Sequence, residues 1–139
     1  MRVTLKDFRC FHDSGSIELR PVNLLVGENS SGKTSFLAAV RMLFDLFGQQ
    51  NKASFNKDPF FLGAYEQIAH FRGGRFGRAK SFSFSVSDSI DKPYVQRILD
   101  RPSGRRSSSI PDIFEMCVSF KNHRSQPIIE SLRFSAGDY

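Results

Sequence analysis

The stretch Val22-Asn23-Leu24-Leu25-Val26-Gly27-Glu28-Asn29-Ser30-Ser31-Gly32-Lys33-Thr34 decides the fold. From Gly27 to Thr34 it fits the phosphate-loop pattern G-x-x-x-x-G-K-[ST] without a mismatch. Glycines at both ends let the backbone curl through dihedrals that a side chain would obstruct. A backbone curled in this way points successive N–H groups inward and forms an anion nest. Before the loop, Val22–Val26 is a short and almost unbroken apolar run, which reads as a strand buried on both faces. After it the period becomes helical: Phe36, Leu37, Val40, Leu43, Phe44 and Phe47 recur at three- and four-residue spacings. Gly48 marks the expected helix stop. The order strand, loop, helix is the one the loop's mechanics require, because the helix N-terminus then faces the same phosphates as the nest.

Upstream, Val3 and Leu5 alternate with Thr4 and Lys6, and Ile17 and Leu19 alternate again after the turn residues His12-Asp13-Ser14-Gly15. An antiparallel hairpin is expected there. Downstream, residues 49–58 read as an exposed polar connection and Pro59–His70 as a short helix. The Gly- and Arg-rich stretch Phe71–Lys80 reads as a loop. Ser81–Val86 alternates as a strand, Pro93–Asp100 as a short helix, and Pro102–Ser109 as a basic loop. Ile113–Phe120 and Ile128–Phe134 are two further strands joined by the polar turn Lys121–Gln126. The expected fold class is α/β, the N-terminal lobe of a P-loop nucleotide-binding domain with an antiparallel β-rich portion. Residues 1–48 would supply the hairpin, loop strand and helix, and 49–139 the β-rich lobe.

The chain has 139 residues, 40% of them hydrophobic, with 15 Phe and no Trp, enough for one ordinary core. Mean hydropathy is −0.32. No apolar run approaches the roughly 18 residues of a membrane helix, and the N-terminus lacks the apolar stretch of a signal peptide. Cytoplasmic residence without a membrane partner is therefore expected. Cys10 and Cys117 are too few for a disulfide framework or a zinc site, and read as reduced, partly buried thiols. A net charge of +6 and a pI near 9.7 favour phosphate-rich partners, nucleic acid included, or serve solubility alone. The interleaved Arg72-Gly73-Gly74-Arg75-Phe76-Gly77-Arg78 and the run Arg101–Arg106 would be the contact points for nucleic acid, with a solvated loop as the plainer reading.

Together, Val3-Thr4-Leu5-Lys6-Asp7-Phe8-Arg9-Cys10-Phe11, then Ile17-Glu18-Leu19, then Asn23 through Thr34 resemble the start of the RecF/SMC/OLD group of ABC-type ATPases, often filed as AAA-type. The features that carry the resemblance are the early F-R-x-F after the first strand, the short hairpin, and the loop G-E-N-S-S-G-K. It covers residues 1–47. The resemblance implies ATP and Mg2+ as ligands and a homodimer of ATPase heads that sandwiches the nucleotide. It also implies work on DNA in repair, processing or anti-invader defence, commonly with a nuclease partner. The expected nucleotide-binding set is Gly27, Glu28, Asn29, Ser30, Ser31, Gly32, Lys33, Thr34 and Ser35. Lys33 would stand at the β- and γ-phosphates, and the Thr34 hydroxyl would be the magnesium ligand. The resemblance adds Arg9, as a phosphate or base contact or else a surface arginine, and leaves Asn29 to phosphate or to the dimer partner.

The group's Walker B strand ends in Asp-Glu, and no run of four apolar residues here ends that way. Leu99-Asp100 and Phe44-Asp45 are the nearest approaches, and no signature motif is present. Gln67 and Gln126 are the candidates for the group's magnesium-contacting Gln, neither in a persuasive context. Phe8 and Phe11 read as core rather than base-stacking residues, and His12, His70 and His123 as scattered surface or structural residues. No catalytic residue is assigned. Three functions compete: an ATPase head whose remaining parts lie outside these residues, a nucleotide-binding regulatory module without catalysis, and a small-molecule kinase. The hairpin and F-R-x-F argue against the third.

Overall fold

The computed structural model describes residues 1–47, 54–74, 77–89 and 112–137. The expected helix at 93–100 and the basic loop at 102–109 lie outside the described residues. Strands β1 (Arg2–Phe8), β2 (Phe11–Asp13) and β3 (Ile17–Glu18) open the chain, followed by helix α1 (Lys33–Phe47). The small strands β4 (Asn56–Lys57) and β5 (Phe60–Phe61) pair with each other, and the one-turn helix α2 (Tyr65–Ile68) follows. Three long strands close the chain: β6 (Ser81–Ser89), β7 (Ile113–His123) and β8 (Gln126–Gly137).

The main sheet runs β2-β1-β6-β7-β8, with β3 beside β2 along the same strand β1, and all its pairings are antiparallel. Its register follows from alternation. In β6, Phe82, Phe84 and Val86 turn inward while Ser81, Ser83, Ser85 and Ser87 turn out. Phe84 pairs Leu5 on β1 and Val118 on β7, so one row of apolar side chains crosses three strands. A one-residue slip would turn every phenylalanine of β6 to solvent, which fixes the register strongly. The centre of the core is aromatic. Phe82 stacks on Phe120 at 5.1 Å, Phe8 meets Phe84 edge-on at 5.0 Å, and Phe55 meets Phe120 edge-on at 5.1 Å. Phe8 is thus core, as its sequence context suggested.

Helix α1 packs through Phe36, Ala38, Ala39, Met42 and Leu43. This face is rotated from the expected one, because Leu37 and Phe44 point to solvent at 48% and 59% exposure. Ala38 and Ala39 lie at the centre of the buried face. Asp45, one of the two acidic candidates considered above, pairs with Arg41 one turn back at 3.2 Å.

Three expectations need correction. Val22–Val26 forms no strand. Val22, Leu24 and Val26 are 87%, 87% and 82% exposed. A strand buried on both faces needs neighbours on its edges and layers above and below, and the described residues offer it none. Pro59–His70 is not one helix: only Tyr65–Ile68 is helical, and Phe60–Phe61 is spent on the small β4–β5 pair. The last turn is also tighter than expected. Only Arg124 and Ser125 separate β7 from β8, both at positive φ (51° and 62°), the geometry of a primed two-residue hairpin. The Asn122 side chain accepts the Ser125 N–H at 2.9 Å and helps close it.

Between Ser119 and Phe120 the β7–β8 register shifts. Ser119 pairs Ser131, whereas Phe120 pairs Ile129, so Glu130 is the extra residue of a bulge.

Candidate nucleotide-binding site

Helix α1 starts at Lys33, directly at the second glycine of the loop. Its first ladder bond runs from the Phe36 N–H to the Gly32 carbonyl at 2.9 Å, so the N–H groups of Lys33, Thr34 and Ser35 precede the ladder. These three residues line a cleft of about 610 Å3 together with Asn29, Ser30 and Gly32. Ser30 sits at φ 65° and Gly32 at φ 97°, so the loop curls as its sequence demands. The ammonium of Lys33 is held over the loop by the carbonyls of Gly27 at 2.7 Å and Glu28 at 2.6 Å, with the Ser31 hydroxyl at 3.3 Å.

Gly32 has a second reason to be glycine. A Cβ there would fall 2.6 Å from Cys10 Sγ and 3.1 Å from the Phe11 ring. The β1–β2 turn therefore sits on the phosphate loop. Arg9 and Cys10 of that turn line the cleft. Cys10 is exposed rather than partly buried, because it points into this cleft rather than into the core.

The opposite wall comes from the segment after α2, and the sequence reading missed most of it. Gln67, His70, Phe71 and Arg78 all line the cleft. Gln67 is engaged at its own helix, where its side-chain oxygen accepts the Ala64 N–H at 3.0 Å. Gln126, the other candidate, opens β8 and is not part of the cleft. His70 and His12 are not scattered: their rings stack at 5.7 Å. His70 Nδ1 lies 2.6 Å from the Arg9 carbonyl, which can only accept, so Nδ1 carries the proton. Arg78 donates to the Ala69 carbonyl at 2.8 Å and lies over the Phe71 ring at 4.8 Å. Arg72 forms a bidentate pair with Asp7. Both arginines thus have partners within the molecule. A clue existed in the sequence, since Phe71 and Arg78 flank a glycine-rich turn and bridge each other as a short hairpin would.

The electrostatics of the cleft are one-sided. Among the described residues Arg9, Lys33 and Arg78 line it and no carboxylate does. Among the described residues no cluster of His, Cys, Asp or Glu is arranged to hold a metal. Asp7 lies just behind the wall. Burial pulls its carboxyl up, but hydrogen bonds from Arg72 and His12 outweigh this and hold it below the usual carboxylate range. Such a cleft suits a polyanion that ends against a helix N-terminus.

Residues 1–90 match the sequence model of a family described as AAA ATPase domain. The chain belongs to this AAA ATPase family. Membership carries the P-loop NTPase fold and nucleotide use, and the phosphate loop, α1 and the cleft all fall inside the matched residues. Within the family the likeness is to the RecF/SMC-like group. Over 46 residues the chain is 52% identical to the DNA replication and repair protein RecF of Nitrosococcus oceani, an alignment covering 31% of this chain and 13% of RecF. The AAA ATPase chain therefore spans a small part of that relative's length. No helix among its described residues is long and apolar enough to cross a membrane.

Proposed function

We propose that the chain is the ATP- and magnesium-binding module of an ABC-type ATPase head. The observation that carries this reading is the convergence of the phosphate loop, the α1 N-terminus and the cations Arg9, Lys33 and Arg78 on one cleft. The residues present fit a magnesium triphosphate. Gly32, Lys33 and the leading N–H groups of α1 would take the phosphates, assisted by Asn29, Ser30, Ser31 and the backbone of Gly27 and Glu28. Arg9 would add a second positive charge. Ser35 and Thr34 bring hydroxyls to the helix start, and Thr34 would be the magnesium ligand, the other oxygens coming from phosphate and water. The bound ion would spread the phosphate charge; the chain's own contribution is to bind and orient the triphosphate.

The whole protein would be a homodimer of heads acting on DNA in repair, processing or anti-invader defence, with a nuclease as partner. RecF's role in replication and repair, and the net charge of +6, support this. The 139 residues would form the N-terminal lobe of the head. The solvent-facing Val22, Leu24 and Val26 support that assignment, since they await neighbouring strands. Cytoplasmic residence goes with it.

The test is binding of a fluorescent ATP analogue with and without magnesium, for the native chain and Lys33→Ala. Binding that magnesium strengthens and Lys33→Ala removes is expected. Equal binding by the two proteins would refute the reading. A second reading is a nucleotide-binding regulatory module without hydrolysis; among the described residues lining the cleft there is no carboxylate to orient an attacking water. Phosphate release that depends on Lys33 would exclude it.

A further inference from the structure

Asp7 does not line the cleft, yet its side chain joins the β1–β2 turn to the 68–72 segment, which form two of its walls. Both carboxylate oxygens are engaged. Arg72 Nη2 donates to them at 2.7 and 2.6 Å and Arg72 Nε at 3.2 Å, across 65 residues of sequence. His12 Nδ1–H donates to the same group at 2.8 Å. The side chain is only 20% exposed, so solvent screens this pair incompletely.

The backbone around Asp7 repeats the connection. The His70 N–H donates to the Asp7 carbonyl at 2.8 Å, and the Arg9 N–H to the Ile68 carbonyl at 2.7 Å. Phe8 bridges Ala69 between them. The turn these bonds hold is one that L-residues avoid: Asp7 is at φ 53° and Arg9 at φ 48°. Residues in such conformations persist where the surroundings over-determine them. The held turn is also the one that carries Arg9 into the cleft and rests Cys10 and Phe11 against Gly32.

We propose that Asp7 is the positioning residue of the nucleotide site, clamping the β1–β2 turn to the 68–72 segment so that Arg9 faces the phosphates and Gly32 stays seated. The proposal rests on the triphosphate-binding reading above. Asp7 touches no ligand; it acts through Arg9 and through the turn that packs on the phosphate loop.

The experiment measures affinity for a fluorescent ATP analogue, with magnesium, in six proteins: native, Lys33→Ala, Asp7→Asn, Arg72→Gln, Arg9→Ala and Asp7→Asn with Arg9→Ala. Asparagine tolerates positive φ, so Asp7→Asn removes the charge and leaves the turn conformation accessible. Arg72→Gln breaks the same clamp from the other side and keeps every turn residue native. Each single clamp variant should weaken binding about tenfold, within the range of coupled neighbours. The Asp7→Asn/Arg9→Ala protein should lose less affinity than the two single losses combined, because the part of the Asp7 effect that runs through Arg9 can be lost only once. A merely structural role would give additive losses instead, and additivity overturns the proposal. So does native-like affinity in both Asp7→Asn and Arg72→Gln while Lys33→Ala is dead, an outcome that leaves the nucleotide reading intact. Failure of the native protein to bind, or undiminished binding by Lys33→Ala, overturns both.

Discussion

Replacing Gly32 with alanine adds one methyl group where two constraints meet. The first is conformational: Gly32 is at φ 97°, and a residue with a Cβ held at such a dihedral carries about 1–3 kcal/mol of strain. The second is steric, because the new Cβ would lie 2.6 Å from Cys10 Sγ and 3.1 Å from Phe11 Cζ. The Cys10 thiol is exposed and short and turns away easily, whereas the Phe11 ring is half-buried and must shift. Overpacking of this kind costs about 1–3 kcal/mol. The sum is about 2–6 kcal/mol, divided between a lower Tm and a displaced loop. In a chain of this size each kcal/mol lowers Tm by about 3–5 °C. The loop's share appears as lost triphosphate affinity, about tenfold for every 1.4 kcal/mol. Thermal melting and titration with a fluorescent ATP analogue read the two shares separately. Cys10→Ala in the same background should restore the part due to the thiol and leave the dihedral part. A Gly32→Ala protein with native Tm and native affinity would refute both the loop geometry and the contact with the β1–β2 turn.

Three further outcomes follow from the core and its edges. Burial, aided by the negative charges of Glu130, Asp7 and Glu66, pushes the Tyr65 hydroxyl from 10.0 up to about 12. The fold therefore holds this proton more tightly than the unfolded chain does. The associated stability, about 2–3 kcal/mol, is complete below pH 10 and disappears as pH rises toward 12. Urea midpoints at neutral and strongly alkaline pH should fall less steeply for Tyr65→Phe than for the native protein, and parallel falls would contradict this. Phe84→Ala should cost about 3–5 kcal/mol in urea denaturation, since the ring is fully buried among Phe8, Phe82 and Phe120. Leu24→Lys should change the stability of this chain by less than about 0.5 kcal/mol, because Leu24 is 87% exposed; a large loss would show that Val22–Val26 is buried after all.

The phosphate loop, the start of α1 and the alternation of β6 were legible because each rests on a local rule: glycine placement, helical period, or period two. The position of Val22–Val26 was not, since apolar content says that a segment is to be buried and not what will cover it. Pro59–His70 misled for a related reason. Its apolar residues fit a helical face, but Phe60 and Phe61 pair with β4, and local spacing carries no trace of that partner. The far wall of the cleft depends on tertiary contacts alone. Nothing in the sequence near His12 announces that it stacks on His70, 58 positions later. Lys33 and Thr34 could be named from their motif, whereas Asp7, Arg72 and Arg78 became visible only once the β1–β2 turn and the 68–78 segment were brought together.

The bulge in β8 bears on how this molecule behaves in a crowd. Among the described residues β8 is the last strand of the sheet, and its outer side there presents backbone donors and acceptors to any passing extended chain. Ile129, Leu132 and Phe134 are about half exposed along it, which would make the template attractive. Three features interrupt it: Pro127 lacks a donor, Arg133 carries charge, and the extra Glu130 breaks the repeat in which a second strand would have to match. Deleting Glu130 would straighten the edge and leave nucleotide chemistry untouched, yet give a second strand a regular repeat to match. The concentration at which filaments or precipitates first form should therefore be lower for the protein without Glu130 than for the native one, although Pro127 and Arg133 remain in place.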